Sequence, residues 1–349
     1  MYLKYRAIYC CLSIGLLTGC ETTTNVSNNV KNIDLPTSWS EASKSTLNKD
    51  VQPLFNYGFN DNTLINLITE GVRNNYLLQN QQSQVELLQL ALNISKSEFY
   101  PLVTLTTNQN RRKTGEETYS SNAEINANIS YELDIWGKLS ASKQNAALQF
   151  ASEQAAYQSE VQKLVTQISS SWYNLIEANL LVDLFQKRVN SLKTSHEIID
   201  RSYKLGLSSA LDVYLSQNNL LQERSRLIQQ GQLLKQSKHK LNLLLGRNPN
   251  SHFEIPANFP KLEGSASLVV PTELLSRRAD IKSEWLQLLS LDKSVAVAHK
   301  QRFPKLSLTI NSGYGADKLT NLSDSTTLLW SLAANLVGPI FDAGKLANM

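Results

Sequence analysis

Between Lys138 and Leu205 the chain holds neither proline nor glycine. Apolar or large residues recur there in alternating steps of three and four: Leu175, Ala178, Val182, Phe185, Val189, Leu192, Ile199 and Tyr203, with His196 in the one gap. That spacing is a heptad seam, and about 68 residues of helix at 1.5 Å per residue extend roughly 100 Å. After Gly206, Val213, Leu220, Leu227, Leu234 and Leu241 repeat at intervals of seven, with Tyr214, Leu221 and Ile228 beside them, until Gly246 and Pro249 end the run. The two runs predict an antiparallel helical hairpin with its tip at "LGLSSALDV", Leu205 to Val213. A further helix of about 40 residues is predicted from Asp61, a suitable N-cap, to Phe99, with Gly71 as its only interruption.

Between these helical stretches the period changes to two. In "EINANISYELD" the residues Ile125, Ala127, Ile129, Tyr131 and Leu133 alternate with Glu124, Asn126, Asn128, Ser130, Glu132 and Asp134, giving one apolar face and one wholly polar face. "LVTLTTNQN", 102–110, alternates more weakly, and the Gly115 region serves as the hairpin loop. The basic cluster Arg111, Arg112 and Lys113 is followed at once by Glu116 and Glu117 and reads as a solvated loop.

The arrangement recurs. "SEFYPLVTLT" at 97–106 is echoed by "KQRFPKLSLT" at 300–309, and "YELDIWGKL" at 131–139 by "VGPIFDAGKL" at 337–346. In the second copy Leu306, Leu308 and Ile310 open one strand, and Trp330, Leu332, Ala334, Leu336 and Ile340 line the apolar side of the next. Strands of roughly 9 to 11 residues with a polar face, and aromatic residues at their ends (Phe99, Tyr100, Trp136, Phe303, Phe341), match transmembrane barrel strands around a wet lumen. A soluble sandwich is the alternative. Unpaired edges are costly in lipid, so four strands must be completed by further copies. Two chains give eight strands and three give twelve, of which only the larger encloses an open pore by ordinary barrel sizes.

Composition and the chain ends refine this picture. Lys4 and Arg6 precede an apolar run from Ala7 to Leu17 and then "LTGC", Leu17 to Cys20, the layout of a bacterial lipoprotein signal with Cys20 as the acylated residue. Cleavage removes Cys10 and Cys11, so no disulfide is expected, and two or more acyl chains anchor firmly. Without Lys4 and Arg6 there remain 32 basic against 30 acidic residues, a balance that gives no reason to invoke nucleic acid. Residues 21–60, rich in Thr, Asn and Ser, suit an extended tether. "HEIID" lacks the second histidine of a zinc helix, and His196 reads as a packing or register residue. Five residues separate Gly338 from Gly344 and Leu346 follows Lys345, which excludes a phosphate-binding loop. No nucleophile or metal signature marks an enzyme, and no cofactor is implied.

The residues that carry a family resemblance are "LTGC", "YELDIWGKL", the tip "YKLGLSSALDVYLSQNNL" and "LLSRRADI" at 274–281. Together they resemble the TolC family of outer-membrane efflux proteins, in its lipoprotein branch of the OprM and NodT type. Glu21 after the cysteine is compatible with sorting to the outer membrane in such lipoproteins.

The resemblance implies a mainly α fold with membrane β. A homotrimer would supply four strands per chain to one 12-stranded barrel, with coiled-coil helices forming a periplasmic α-barrel. It implies a passive conduit for small molecules such as drugs, partnered by a periplasmic adaptor (membrane fusion) protein and an inner-membrane pump of the resistance, nodulation and division class. The adaptor contact maps onto Leu205, Gly206, Leu207, Ser208 and Ser209, and the lipid-facing strand onto Ile125, Ala127, Ile129, Tyr131 and Leu133. "RRADI" has Ala279 where the family usually has proline.

The predicted organisation is a signal peptide at 1–19, an anchored extended segment at 20–60, a first repeat at 61–250, a linker at 251–272 and a second, incomplete repeat at 273–349. The first repeat reads helix, strand, strand, long hairpin; the second stops where its long helix begins. The expectation is a C-terminally truncated product, whose missing hairpin would carry the gate. A lipid-anchored envelope scaffold without a pore, or a non-functional fragment, are the rival readings. The scaffold leaves the four two-faced strands unexplained.

Overall fold

A computed structural model describes residues 61–115, 118–260, 274–275, 277–316 and 328–347. Cys20, the signal and the tether to residue 60 lie outside these residues, as does the linker from 261 to 272. Two compact units emerge: one from Leu88–Ser152 with the chain from Glu284 onward, the other from Glu153–Ser283 with the chain leading up to Leu87.

The second unit is helical. Helix α1, Asn62–Asn74, starts where expected, because the Asp61 carboxylate accepts the Leu64 N–H at 3.1 Å. The other Asp61 oxygen takes the Trp172 indole N–H at 2.8 Å, which ties the cap to the core. The helix expected to continue to Phe99 is in fact two, with α2 at Tyr76–Ser97. Asn75 makes the break: its ψ is 121°, its side-chain oxygen accepts the Leu78 N–H at 3.0 Å, and its amide donates to the Leu244 carbonyl at 2.9 Å. An asparagine offers the backbone an alternative to the helical ladder, and here a buried partner fixes that choice. Gly71, the expected interruption, lies inside α1. A Cβ there would stand 2.3 Å from the Ile168 side chain, so its bareness serves packing.

Helices α3, Lys138–Lys204, and α4, Ala210–Leu244, form the predicted hairpin. α3 has 67 residues, about 100 Å of helix. The heptad positions Leu175, Ala178, Val189, Leu220 and Leu241 are buried, whereas Tyr214, Leu221 and Ile228 remain exposed beside the seam. Leu64, Ile68, Trp172, Ile176, Leu241 and Leu245 centre the core, and Phe253 and Ile255 pack against it.

Polar contacts set the hairpin's register. The Ser216 hydroxyl donates to the Val213 carbonyl at 2.8 Å, so the His196 Nδ1–H is the donor toward Ser216 Oγ, also at 2.8 Å. Glu223, buried on α4, has Arg188 Nε of α3 2.6 Å from one oxygen and accepts from Arg226 at 3.3 Å on the other. The Arg188 contact lies off the hydrogen-bond axis and is chiefly ionic. α4 ends with Gly246 at φ 68°, the Gly246 N–H reaching Leu243 O and the Arg247 N–H reaching Asn242 O.

In the first unit α2 and α5, Ala279–Lys300, are both 22 residues long and each runs through a short turn into a strand. The strands β1 (Leu102–Thr114), β2 (Thr118–Leu133), β3 (Lys305–Ala316) and β4 (Leu328–Val337) form one antiparallel sheet in sequence order. At 13 and 16 residues, β1 and β2 exceed the expected span. Their excess is the hairpin that absorbs Arg111, Arg112 and Lys113. These residues pair with Ser121, Ser120 and Tyr119 in the ladder and so are strand, not loop. Alternating polar residues fit a ladder with one wet face, which outweighs the loop signal of clustered charge.

Two glycines give opposite expectations for the helical unit. At Gly246 a side chain would meet a left-handed backbone and stand 2.6 Å from the Asn74 carbonyl oxygen, so Gly246→Ala should lower stability by about 1–3 kcal/mol. Gly231 lies inside α4 with open space around it, and Gly231→Ala should raise stability by about 0.5–1 kcal/mol. Chemical unfolding followed by circular dichroism at 222 nm (roughly the helical minimum) measures both. Equal shifts would contradict the packing described.

Candidate functional site: a two-faced sheet and a hairpin tip

Directly paired residues in an antiparallel ladder point to the same face, so the register shows what each face presents. One row across the four strands is Val103, Ile129, Ile310 and Leu332; the next is Leu105, Ala127, Ser312 and Trp330. Tyr131, Leu308 and Ala334 form another, then Leu133, Leu306 and Leu336. Ile125, Ala127, Ile129, Tyr131 and Leu133 thus form one column of a continuous apolar face.

From Leu133 to Ile125 this band spans about 27 Å along the strand, or roughly 20 Å of height at barrel tilt. On the outer strands its side chains are exposed, Leu105 to 75%, Trp330 to 74% and Leu332 to 63%, whereas Ala127, Ile129, Tyr131 and Leu133 on β2 are half-buried. The opposite face carries the row Thr104, Asn128, Asn311 and Ser331, and below it Glu132, Ser307 and Asn335. It becomes less polar on β4, where Leu329 and Ala333 belong to it. At Gly313 a Cβ would stand 2.0 Å from the Asn126 side chain, so that row tolerates no larger residue. Among the described residues β1 and β4 each have one paired side only.

Both copies turn from strand toward helix through an aspartate. Asp134 accepts the Leu139 and Ser140 N–H groups, each at 2.9 Å, and the Ser140 hydroxyl at 2.6 Å. Partial burial pushes the Asp134 carboxyl up, but the Ser140 and Leu139 hydrogen bonds and nearby Lys300 hold it below its ordinary value. In the second copy Asp342 accepts from Gly344 N–H at 3.0 Å and Leu346 N–H at 2.8 Å, over a short 3-10 turn, Lys345–Ala347. The first-turn amides of a helix are captured in both places. The copies also touch: Trp136 stacks on Phe303 at 5.1 Å, and its indole N–H donates to the Pro304 carbonyl at 2.7 Å. Phe99 lies under the Lys143 ammonium, whereas Tyr100 and Phe341 are exposed.

At the hairpin tip Gly206 adopts φ 75°, with its N–H on Tyr203 O and the Leu207 N–H on Ser202 O. This is a Schellman ending, which the glycine permits without strain. Ser209 then caps α4 in a reciprocal box with Asp212. The Ser208 and Ser209 hydroxyls are engaged within the tip, since both donate to the Asp212 carboxylate, at 3.1 and 2.7 Å. Projecting from the tip instead are Leu205, 74% exposed, Leu207, 79% exposed, and Leu211. Leu211 and Asp212 were missed in the sequence. The Ser209-to-Asp212 spacing of a capping box was the available signal.

Among the described residues no cluster of His, Cys, Asp or Glu suits a metal ion, and no helix is long and apolar enough to cross a membrane. The strands are the elements with membrane dimensions.

A long coiled-coil hairpin joined to four strands with one apolar and one polar face defines the TolC-like fold. The solved Campylobacter jejuni CmeC outer membrane channel shares this fold, with a TM-score of 0.82 at 20% identity over 91% of this chain and 70% of that one. The Neisseria gonorrhoeae MtrE outer membrane channel matches at 0.72, with 21% identity over 90% and 74%. The chain belongs to the outer membrane efflux protein family, whose profile matches residues 67–247 and 270–349. This is a family of channel and efflux proteins, not of enzymes. Among curated relatives, the Pseudomonas putida solvent efflux pump outer membrane protein SrpC is 26% identical over 83% of this chain and 64% of its own length. Pseudomonas aeruginosa outer membrane protein OprJ is 26% identical over 82% and 62%. The chain therefore spans less than two thirds of the length of these relatives.

The two faces differ in what they tolerate. Ile129→Arg, at mid-height of the apolar band, should cost about 2–4 kcal/mol in folding into lipid vesicles, and the adjacent Asn128→Arg much less. Equal folding yields of both variants would refute the assignment of faces. At the tip the Asp212 carboxyl is held below its ordinary value, chiefly by the Ser209 hydroxyl, then by the Ser209 N–H and the Ser208 hydroxyl. A depressed folded value means that the cap is fully present above the unfolded carboxyl's range, near pH 4, and is lost as pH falls through the folded value. The protection factors of the Ser209 and Asp212 amides, with exchange scaled to the intrinsic rate at each pH, should therefore hold down to about pH 4 and fall only below it. A fall already between about pH 5 and 6 would show that the box does not hold.

Proposed function

We propose that the chain is a subunit of an outer-membrane channel that passively conducts small molecules out of the cell. The observation that carries this reading is the sheet. Its uncovered apolar band, its polar opposite face and its two half-paired edges are satisfied together by closure with further copies in lipid. Three copies make a 12-stranded barrel with the polar face inward, wide enough for a wet lumen; eight strands from two copies would be filled by their own side chains. A homotrimer is therefore the assembly proposed.

The helical hairpin then extends into the periplasm. Its projecting leucines at 205, 207 and 211, around Gly206, Ser208 and Ser209, offer an apolar knob to a periplasmic adaptor. An inner-membrane pump, of the resistance, nodulation and division class, supplies the driving force and selects the substrate. The efflux-pump names of SrpC and its relatives support this role. Cys20, acylated after removal of the signal, tethers the subunit to the same membrane. Catalysis has no part in the mechanism.

Purified full chain reconstituted into planar bilayers should give stepwise conductance, and unheated gels should show an oligomer that dissociates on boiling. Monomers without conductance, with β1–β4 cut by protease in intact membranes, would overturn the reading in favour of a non-pore scaffold.

A further inference from the structure

We infer that the distal end of the β1–β2 hairpin carries a binding site for the phosphate groups of a phosphorylated glycolipid in the outer leaflet, formed by Arg111 and Lys113 around Tyr119. The inference rests on the channel reading and adds a lipid ligand to it. The ladder pairs Lys113 with Tyr119 and Arg111 with Ser121, in the same alternation that pairs Val103 with Ile129. Both cations therefore stand on the apolar face, above its last rows. Arg112, between them in sequence, pairs with Ser120 and belongs to the opposite face.

The side chains converge on one ring. The Arg111 guanidinium lies 4.5 Å from the Tyr119 centroid and the Lys113 ammonium 5.8 Å from it. Stacking on a ring face orients a guanidinium while leaving its N–H edge open to phosphate oxygens. Both residues are exposed, and among the described residues neither pairs with a carboxylate.

Height and sidedness fit a headgroup. Arg111 lies four residues beyond the level of Ile125, about 13 Å along the strand, and a long basic side chain can reach back toward the lipid boundary. Among the described residues, pairing of β2 with β3 ends at Ala123 and Ala316, so the hairpin continues past the last paired residue of β3. The helices α2 and α3 join the sheet at its other end, beyond Leu102 and Leu133. With the helices in the periplasm, the basic end meets the outer leaflet, whose glycolipids carry phosphates on their headgroups.

The test uses full-length chain in detergent, with native mass spectrometry counting retained lipid A, and phosphatidylglycerol and inorganic phosphate as competitors. Each cation near an anionic surface contributes about fivefold, so R111Q/K113Q should lower lipid A retention by roughly 25-fold. R112Q should retain it. Equal retention by R111Q/K113Q, equal loss in R112Q, or displacement of lipid A by phosphatidylglycerol or millimolar phosphate would overturn the inference. Heat-modifiable oligomers are scored in the same samples. If the wild type forms none, the channel reading falls and this site with it; if they form and R111Q/K113Q still retains lipid A, this site alone falls.

Discussion

A β-ladder has a period of two, and every property of the sheet follows from holding one register across three strand pairings. If any strand slipped by a single residue, its whole apolar set would move to the polar face. Here the pairings run without a bulge from Leu102 to Val337, so Val103, Ile129, Ile310 and Leu332 share a row although more than two hundred residues separate the first from the last. The aspartate turns at 134 and 342, the Trp136 and Phe303 stack and the bare backbone at Gly313 all hold that register at its ends and centre. The same alternation separates Arg111 and Lys113 from Arg112, sending neighbouring cations of one charge run to different surroundings.

The helical unit solves a different problem. Its heptad seam buries one stripe of each helix, yet it leaves Tyr214, Leu221 and Ile228 exposed in a second stripe. A hairpin with two apolar stripes is suited to packing on both sides, as a stave does in a wall, which supports the proposed assembly from further copies. The tip follows its own logic. Its polar groups are consumed in the Ser209 and Asp212 box, and its leucines project. The adaptor contact proposed for this tip would rest on apolar shape more than on donated hydrogen bonds.

Much of this was legible in the amino-acid sequence because the elements are long and strictly periodic. The hairpin of α3 and α4 and the alternation through Ile125 to Leu133 are legible from spacing alone. What spacing could not reveal depended on tertiary partners. Asn75 breaks the first helix because Leu244 is there to receive its amide, and Gly71 does not because Ile168 fills the room beside it. Arg111 to Lys113 looked like a loop because charge usually clusters in loops; only the partner strand shows them in a ladder. The serines at 208 and 209 were recognised, but the direction of their hydroxyls depends on Asp212.

Glu223 shows how a repetitive helix can be assembled without error. A seam of leucines every seven residues is nearly indifferent to a slide of one heptad, about 10 Å, because one leucine then replaces another. The contact between buried Glu223 and Arg188 is not indifferent, for it exists at one offset, the same offset at which His196 meets Ser216. Any slipped alignment would take this buried carboxylate away from its partner across the hairpin and leave it with Arg226 of its own helix alone. The ion contact thus acts as a proofreading mark on a ruler: it adds little to the strength of the hairpin, but it rejects every wrong length before the tip is presented.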